Sequence, residues 1–212
     1  MEKFKNVMIF DHPLIKHKIA ILRDKKTGMK EFRELVEEIT ALMAYEALKD
    51  LPSKVIEVET PLEVCEQTII QEKSISIVPI LRAGLGMVNG IHQLLPTAKV
   101  GHIGMYRDEK TMLPQVYYCK LPENIEHMKV FLLDPMLATG GSASAAIQYL
   151  KNNGVKDITL MSIIAAPVGV EKIATDHPDA HIYISTLDRE LNDDCYILPG
   201  LGDAGDRLFG TR

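Results

Sequence analysis

One segment of the chain joins a single acid to a glycine-rich turn. Residues 130–143 read VFLLDPMLATGGSA, an apolar run that ends in Asp134 and leads into two adjacent glycines. The glycines would let a ligand approach the backbone, and the helix predicted to follow would present unpaired N–H groups and a positive dipole end. This combination favours a phosphate-binding loop, although no lysine follows the glycines as it does in Walker nucleotide loops.

The acid at the entrance of this loop needs a partner of its own. A carboxylate repels a phosphate, unless the ligand carries hydroxyl groups beside its phosphate, as a ribose 5-phosphate does. Asp134 would then accept hydrogen bonds from the sugar hydroxyls while the loop binds the phosphate. Two alternatives stay open from these residues alone: a magnesium ion that bridges acid and phosphate, and an ordinary strand–turn–helix connection with an aspartate cap.

Three other segments carry residues suited to anions or to a planar base. PILRAGLGM places Arg82 directly after a short apolar run, where its planar fork of donors could bind phosphate oxygens. MYRDEKT places Arg107 at the start of a charged stretch. YILPGLGDAGDRLFGT, at 196–211, is rich in glycine, and its main-chain groups could hydrogen-bond the edge of a base. The competing interpretations are a turn-capping arginine, an exposed loop charge and a flexible tail.

The elements around these segments predict an α/β fold. Two helical patterns open the chain, and the second presents an apolar stripe of Phe32, Leu35, Val36, Ile39, Leu42 and Met43. VIEVET alternates as a half-exposed strand does, whereas SISIVPIL, VGHIGMY, KVFLLD and DITLMSIIAA are short apolar runs typical of buried strands. Helical patterns at GLGMVNGIHQLL, SASAAIQYLKNN and GVEKIATDHP lie between them. This alternation predicts a mostly parallel sheet with helices on both faces.

One stretch fits this alternation poorly. YRDEKTMLPQVYYCKLPEN, at 106–124, is charged and contains two prolines around a strand candidate, QVYYC. It is consistent with a hairpin or with a mobile flap. We find no internal repeat and no interdomain linker, so the sequence predicts a single domain over residues 1–212.

Composition narrows the classes of partner. The net charge of −5 gives no basic footprint for a nucleic acid, though local arginines and N–H groups can still bind a small anion. Histidines do not cluster at metal-ligand spacing, and the three cysteines lie far apart in the sequence. We expect no signal peptide, no membrane span and a reducing, cytoplasmic environment.

Taken together, the motifs resemble the type I phosphoribosyltransferases. VFLLDPMLATGGSA is similar to their ribosyl-diphosphate signature, but most of that class has two adjacent acids where this chain has Asp134 and then Pro135. A single acid before proline is the form of the uracil phosphoribosyltransferases. HPLIKHK, PILRAGLGM and YILPGLGDAGDRLFGT resemble that family too, so the likeness runs from His12 to Thr211. The last of these motifs is the most specific.

The resemblance implies a fold and a reaction. The fold is the type I phosphoribosyltransferase fold, with helices in about 1–52, a mostly parallel central sheet flanked by helices, a flap at about 106–128 and a uracil-binding loop at about 195–211. The reaction joins uracil to 5-phospho-α-D-ribose 1-diphosphate (ribosyl diphosphate below) and gives uridine 5′-monophosphate and diphosphate, a step of pyrimidine salvage. Another nucleobase phosphoribosyltransferase is the main alternative. An RNA-binding regulator on the same fold is disfavoured by the acidic charge.

The resemblance also implies roles for individual residues. Arg107 and Asp203 are the candidate catalytic residues: Arg107 would close over the departing diphosphate, and Asp203 would face the ribosyl substrate and help to take the uracil N1 proton. Uracil would contact Ile197, Gly202, Asp203 and Ala204, largely through the main chain. The ribosyl diphosphate would contact Arg82, Arg107, Asp134, Pro135, Met136, Leu137, Ala138, Thr139, Gly140, Gly141, Ser142 and Asp203.

The expected partners follow from the same likeness. Mg²⁺ would arrive with the diphosphate rather than occupy a site made by the protein alone. Some relatives are activated by GTP, so GTP is an expected effector. Relatives form dimers or larger assemblies, which predicts a homo-oligomer, either a dimer or a tetramer.

Overall fold

The first helices form where the apolar stripe predicts them. The computed structural model describes residues 4–70, 75–107 and 114–211. After β1 (Val7–Ile9), helix α1 (Pro13–Arg23) begins at a proline, and the His12 imidazole accepts a hydrogen bond from the Leu14 N–H. Helix α2 (Met29–Ala47) buries the predicted stripe, except that Leu42 is only partly buried. Both helices therefore hold one face against the core.

A separate hairpin follows these helices. Strand β2 (Ser53–Glu59) contains all of the predicted VIEVET strand except its last residue, Thr60. It pairs antiparallel with β3 (Val64–Ile70), a strand that was not predicted from the sequence. The two strands form their own two-stranded sheet. Most of their side chains are exposed, which agrees with the half-exposed alternation in the sequence.

The central sheet has nine strands within the described residues. Its main path runs β1-β11-β10-β8-β4-β6-β7, with β5 beside β4 and β9 beside β10. Every pairing is parallel except that of β7, which runs antiparallel to β6. The bounds are β4 (Ile75–Leu81), β5 (Lys99–Val100), β6 (His102–Arg107), β7 (Pro114–Lys120), β8 (Lys129–Leu133), β9 (Met136–Leu137), β10 (Asp157–Ala165) and β11 (His181–Leu187).

Helices cover both faces of this sheet. Helix α3 (Leu85–His92) lies with α1 and α2 over one face, whereas α4 (Gly141–Asn152) and α5 (Pro167–Asp176) cover the other. Consecutive residues of β8 show the division, since Phe131 packs into the first core and Leu132 into the second. The predicted α/β class, with a mostly parallel sheet between helical layers, is confirmed.

The poorly fitting stretch is a hairpin in its described part. Strands β6 and β7 pair antiparallel, and a short 3-10 helix at Ile125–His127 leads into β8. The tip, residues 108–113, lies outside the described residues, so the predicted flap is only partly covered. No helix in the described ranges is long and apolar enough to cross a bilayer.

The chain ends in short elements beside the sheet. Strands β12 (Glu190–Leu191) and β13 (Ile197–Leu198) pair antiparallel, and helix α6 (Ala204–Phe209) follows. This helix packs on the face that carries α2, where Leu208 is buried. Residues 195–211 are therefore ordered elements and tight turns, and the interpretation of this segment as a flexible tail is wrong.

Candidate active site

Asp134 lies where the pairing of β8 with β10 is interrupted. Strand β8 pairs with β10 up to Leu133, and β9 resumes the same parallel register at Met136, so that two residues separate the strands. Within this interruption, the Pro135 carbonyl accepts hydrogen bonds from the N–H groups of Ile163 (3.1 Å) and Ile164 (3.0 Å). Asp134 therefore interrupts the strand instead of ending it, and the sheet holds the backbone on both sides of the acid.

Burial disfavours the charged form of the Asp134 carboxyl. Its carboxyl is half-buried, and Oδ1 accepts a hydrogen bond from the Met136 N–H at 3.3 Å. Desolvation raises the pKa of Asp134 to about 6, against the smaller opposing effect of that hydrogen bond. A ligand that donates hydrogen bonds to this carboxylate would stabilise its charged form.

A small concave space follows the acid. Its volume is about 100 Å³, which is room for a group larger than one water molecule. Gly140, with φ +78°, turns the chain into α4, so the N–H groups of the first helical turn border this space. The lining consists of Asp134, Met136, Leu137, Ala138, Thr139, Gly140, Gly141, Ser142 and Ala143, and we call it the cradle. Its size and its N–H groups suit a phosphate.

Helix α5 supports the cradle from behind. A Cβ atom placed on Gly169 would overlap the Ala138 carbonyl oxygen, and one on Gly140 would lie 3.0 Å from the Gly169 carbonyl oxygen. Loop and helix therefore touch backbone to backbone. Gly169 was not among the residues predicted from the sequence. Its position could have indicated this role, because it lies two residues after Pro167, at the start of a predicted helix.

The β4–α3 turn lies against the same region. A Cβ atom on Gly84 would overlap the carbonyl oxygen of Leu133, the residue before the acid. Arg82, two residues earlier, has a side chain that is 58% exposed. Its guanidinium lies 3.8 Å from the Asp206 carboxylate and 5.8 Å from the centre of the Phe209 ring. The structure thus brings Arg82 to the C-terminal segment.

The C-terminal segment buries some side chains and exposes the main chain at Gly202. Ile197 and Ala204 are 3% and 2% exposed, so their side chains face the core. Gly202 and Asp203 are exposed, and Asp203 caps α6 because its Oδ1 accepts from the Asp206 N–H at 2.8 Å. A Cβ atom on Gly205 would lie 3.9 Å from the Arg82 guanidinium.

The backbone of Arg107 lies at the carboxyl end of β6, on the same side of the sheet as the carboxyl end of β4. Arg107 is the last residue of β6, which pairs with β4 at Ile80 and Leu81. The residues after it, 108–113, lie outside the described part of the chain. Within the described ranges, no three His, Cys, Asp or Glu residues come together as a metal-binding group.

Comparison with known proteins identifies the family. A model of the uracil phosphoribosyltransferase family matches residues 8–211. The chain belongs to the uracil phosphoribosyltransferase family. A protein of that name from Thermoanaerobacter sp. (strain X514) is 58% identical over 209 residues, covering 99% of this chain and 100% of the relative. A namesake from Bacillus cytotoxicus is 58% identical over 204 residues, covering 96% of this chain and 98% of its own. The resemblance found in the sequence is confirmed.

Two solved structures share the fold of this chain. A protein from Aquifex aeolicus superposes with a TM-score of 0.91 at 38% identity, covering 97% of this chain and 98% of that one. An adenine phosphoribosyl transferase from Trypanosoma brucei, in complex with AMP, pyrophosphate and ribose-5-phosphate, gives a TM-score of 0.61 at 15% identity, covering 96% and 90% of the two chains. The second likeness shows a shared fold.

Three residues around the uracil phosphoribosyltransferase motifs escaped the sequence analysis. Arg23, Asp188 and Arg207 all hydrogen-bond the C-terminal segment or its neighbours. Asp188 had a readable signal, since it follows HIYISTL, an alternating run that forms β11, as Asp134 follows the run that forms β8. The arginines had none, because Arg23 bonds residues 165 and 177 positions away and Arg207 bonds Leu22, 185 positions away, besides the nearby Leu201.

We predict that Asp134 titrates near pH 6 in the free protein, because burial deprives its ionised carboxylate of hydration. Because this pKa lies above the ordinary value of 3.8, the folded state binds the proton more tightly. The contribution of Asp134 to the free energy of unfolding is therefore greatest at low pH and declines as the pH rises toward 6. Carboxyl-carbon NMR would measure the midpoint, with Asp134→Asn to assign the signal; a midpoint near 4 would contradict the effect of burial.

Proposed function

We propose that the chain transfers a phosphoribosyl group from ribosyl diphosphate to uracil, releasing diphosphate and forming uridine 5′-monophosphate. Membership of the uracil phosphoribosyltransferase family supports this reaction. One structural observation carries the assignment of the site. A cradle entered by a single acid lies at the same end of the sheet as a loop in which the side chains of Ile197 and Ala204 are buried and Gly202 and Asp203 are exposed.

The cradle would bind the 5′-phosphate of the ribosyl diphosphate. Backbone N–H groups from Thr139 to Ser142 and the dipole of α4 would stabilise the phosphate charge, and the two hydroxyl side chains add donors. Asp134 would accept hydrogen bonds from the ribose hydroxyls. Their donation would lower the pKa of Asp134 from its raised value in the free protein, so binding would favour the carboxylate.

Two arginines at neighbouring strand ends would bind the diphosphate. Arg82 follows β4, and Arg107 ends β6 beside it. A guanidinium can donate two parallel hydrogen bonds to phosphate oxygens, and two of them would stabilise the negative charge that develops as diphosphate departs. Closure of the flap over this group would exclude water, which competes with uracil for the anomeric carbon.

The main chain of the C-terminal segment would select the base. The side chains of Ile197 and Ala204 are buried, so only their backbone groups and those of Gly202 can meet a ligand. Uracil has a carbonyl at C4, whereas cytosine has an amino group there. A backbone N–H that donates to O4 would oppose a second donor in cytosine, and an unpaired buried donor costs about 1–3 kcal/mol.

Asp203 would meet the reacting groups at the joint between base and sugar. Its Oδ1 accepts from the Asp206 N–H, so the substrate contact falls to Oδ2. The reaction breaks the bond from C1 to the diphosphate oxygen and forms a bond from C1 to uracil N1, through a state with positive charge on the ribose ring. N1 loses its proton as the bond forms, and we assign Asp203 as the candidate acceptor.

The residues present fit a magnesium ion that is carried by the substrate. Asp134 offers one carboxylate beside the cradle, and the described residues include no cluster able to hold a metal unaided. Bound with the diphosphate, Mg²⁺ would neutralise part of its charge. A GTP effector and a homo-oligomer remain proposals that rest on the family resemblance. A cytoplasmic location remains a proposal that rests on the number and spacing of the cysteines.

We predict that uracil is the preferred base. Initial rates with ribosyl diphosphate and, in turn, uracil, cytosine, hypoxanthine and orotate measure the preference directly. From one mispaired backbone group we expect kcat/KM for cytosine to be at least about tenfold lower than for uracil. A higher kcat/KM for any other base would refute the assignment and favour the alternative of another nucleobase phosphoribosyltransferase.

We predict that Asp134→Asn raises the KM for ribosyl diphosphate by roughly 10–100-fold and leaves the fold intact. The amide keeps one acceptor but loses the charge that strengthens hydrogen bonds from the ribose hydroxyls, an effect of about 1.5–3 kcal/mol. The advantage of the wild type should shrink below about pH 6, where its own carboxyl is protonated. Equal KM values for both proteins at pH 8 would refute the sugar-hydroxyl role.

A further inference from the structure

An ion pair joins the end of the first helix to the C-terminal segment. Arg23, the last residue of α1, donates from Nη1 to Oδ2 of Asp188 at 2.9 Å and from Nη2 to Oδ1 of the same carboxylate. Nη1 also donates to the Gly200 carbonyl oxygen at 2.7 Å, and Asp188 Oδ2 accepts from the Gly200 N–H at 3.0 Å. Both main-chain polar groups of Gly200 are therefore held by the pair, which we call the Arg23–Asp188 clamp.

The clamp is largely removed from water. The Asp188 side chain is 2% exposed and that of Arg23 is 20% exposed. The two nitrogens of the Arg23 guanidinium each donate to one oxygen of the Asp188 carboxylate. This bidentate geometry gives both buried charges a hydrogen-bonded partner. Such a pair adds little net stability compared with apolar side chains of similar volume, but it fixes geometry, because removing one partner leaves the other charge unpaired.

Gly200 is the turn on which the base-binding segment depends. Its φ is +64°, and a Cβ atom there would overlap the carbonyl oxygen of Ile197. The chain thus folds back on itself between Ile197 and the exposed Gly202 and Asp203. A displacement of Gly200 would move the main-chain groups on either side of it.

A second arginine ties the same two regions together. Arg207 donates from Nη1 to the carbonyl oxygens of Leu22 (2.7 Å) and Leu201 (3.0 Å), and from Nη2 to that of Asp24 (2.7 Å). Three consecutive residues at the end of α1 therefore reach the segment 200–207, through the Arg23 side chain and through the backbone of its two neighbours. The end of α1 serves as a fixed support for the segment.

We infer that Arg23 and Asp188 are positioning residues that set base recognition, acting through the backbone of Gly200. The inference rests on the proposed uracil site. A site that reads a base with main-chain groups cannot adjust by side-chain rotation, so its precision comes from whatever holds the backbone. The charged clamp supplies that restraint without contacting substrate. The clamp's side-chain hydrogen bonds in the described residues go to Gly200 and within the pair, not to the cradle, which is held by β10 and α5. The clamp meets β10 through the main chain, where the Ala165 carbonyl oxygen accepts from the Asp188 N–H at 2.8 Å.

Arg23→Lys tests the inference, because it keeps the positive charge but loses the planar fork. We expect KM for uracil to rise at least about tenfold, while KM for ribosyl diphosphate changes by less than about twofold. KM does not depend on the fraction of active enzyme, so partial unfolding alone would not produce this split. Arg189→Lys is the matched control: its side chain is exposed and pairs with Glu190, one residue from the clamp, and both KM values should stay unchanged.

A second variant covers the case in which Arg23→Lys does not fold. Arg23→Met combined with Asp188→Leu replaces the pair by apolar side chains, a change that often preserves stability. It leaves Gly200 without its partners, so the same split in KM is expected. An unchanged uracil KM in a folded variant, or an equal rise in both KM values, would overturn the inference alone. A wild type that does not turn over uracil would overturn the proposed function and this inference with it.

Discussion

The site depends on parallel hydrogen bonding among β6, β4 and β8. Parallel neighbours end on the same side of a sheet, so the three strands deliver Arg107, Arg82 and the acid of the β8–α4 segment to one edge. Strands β4 and β8 are buried between helices on both faces of the sheet. One acidic and two basic residues thus end or follow neighbouring strands.

Backbone contacts then set the spacing within this edge. Gly84 lies against the carbonyl of Leu133, and Gly169 lies against that of Ala138. The segments that would contact the ribosyl diphosphate are therefore packed backbone against backbone. The base-binding segment is restrained differently, by the charged groups of Arg23, Asp188 and Arg207. The cradle is thus fixed by close packing and the base loop by hydrogen bonds to charged side chains, which allows the two substrates to be recognised independently.

The sequence was informative where physical signals are local. The apolar run before Asp134, the glycines after it and the stripe on α2 each lie within one segment, and the fold class and the cradle could be predicted from them. Contacts between distant segments leave no such pattern. The partnership of Arg23 with Asp188 spans 165 residues, and the short strand β1 acquires its place only by pairing with β11. The interruption of the strand at Asp134 was not predicted either. The apolar run that precedes it has the same pattern whether the strand ends there or resumes at Met136.

We propose above all that main-chain groups between Ile197 and Ala204 bind the base while the cradle binds the phosphate. A crystal structure with uridine 5′-monophosphate and diphosphate bound tests this proposal most directly. We expect backbone N–H and C=O groups of that segment within ~3.2 Å of the uracil edge, Asp134 on the ribose hydroxyls and the phosphate at Thr139 to Ser142. A uracil ring held by side chains alone, or a phosphate bound at the opposite end of the sheet, would contradict it.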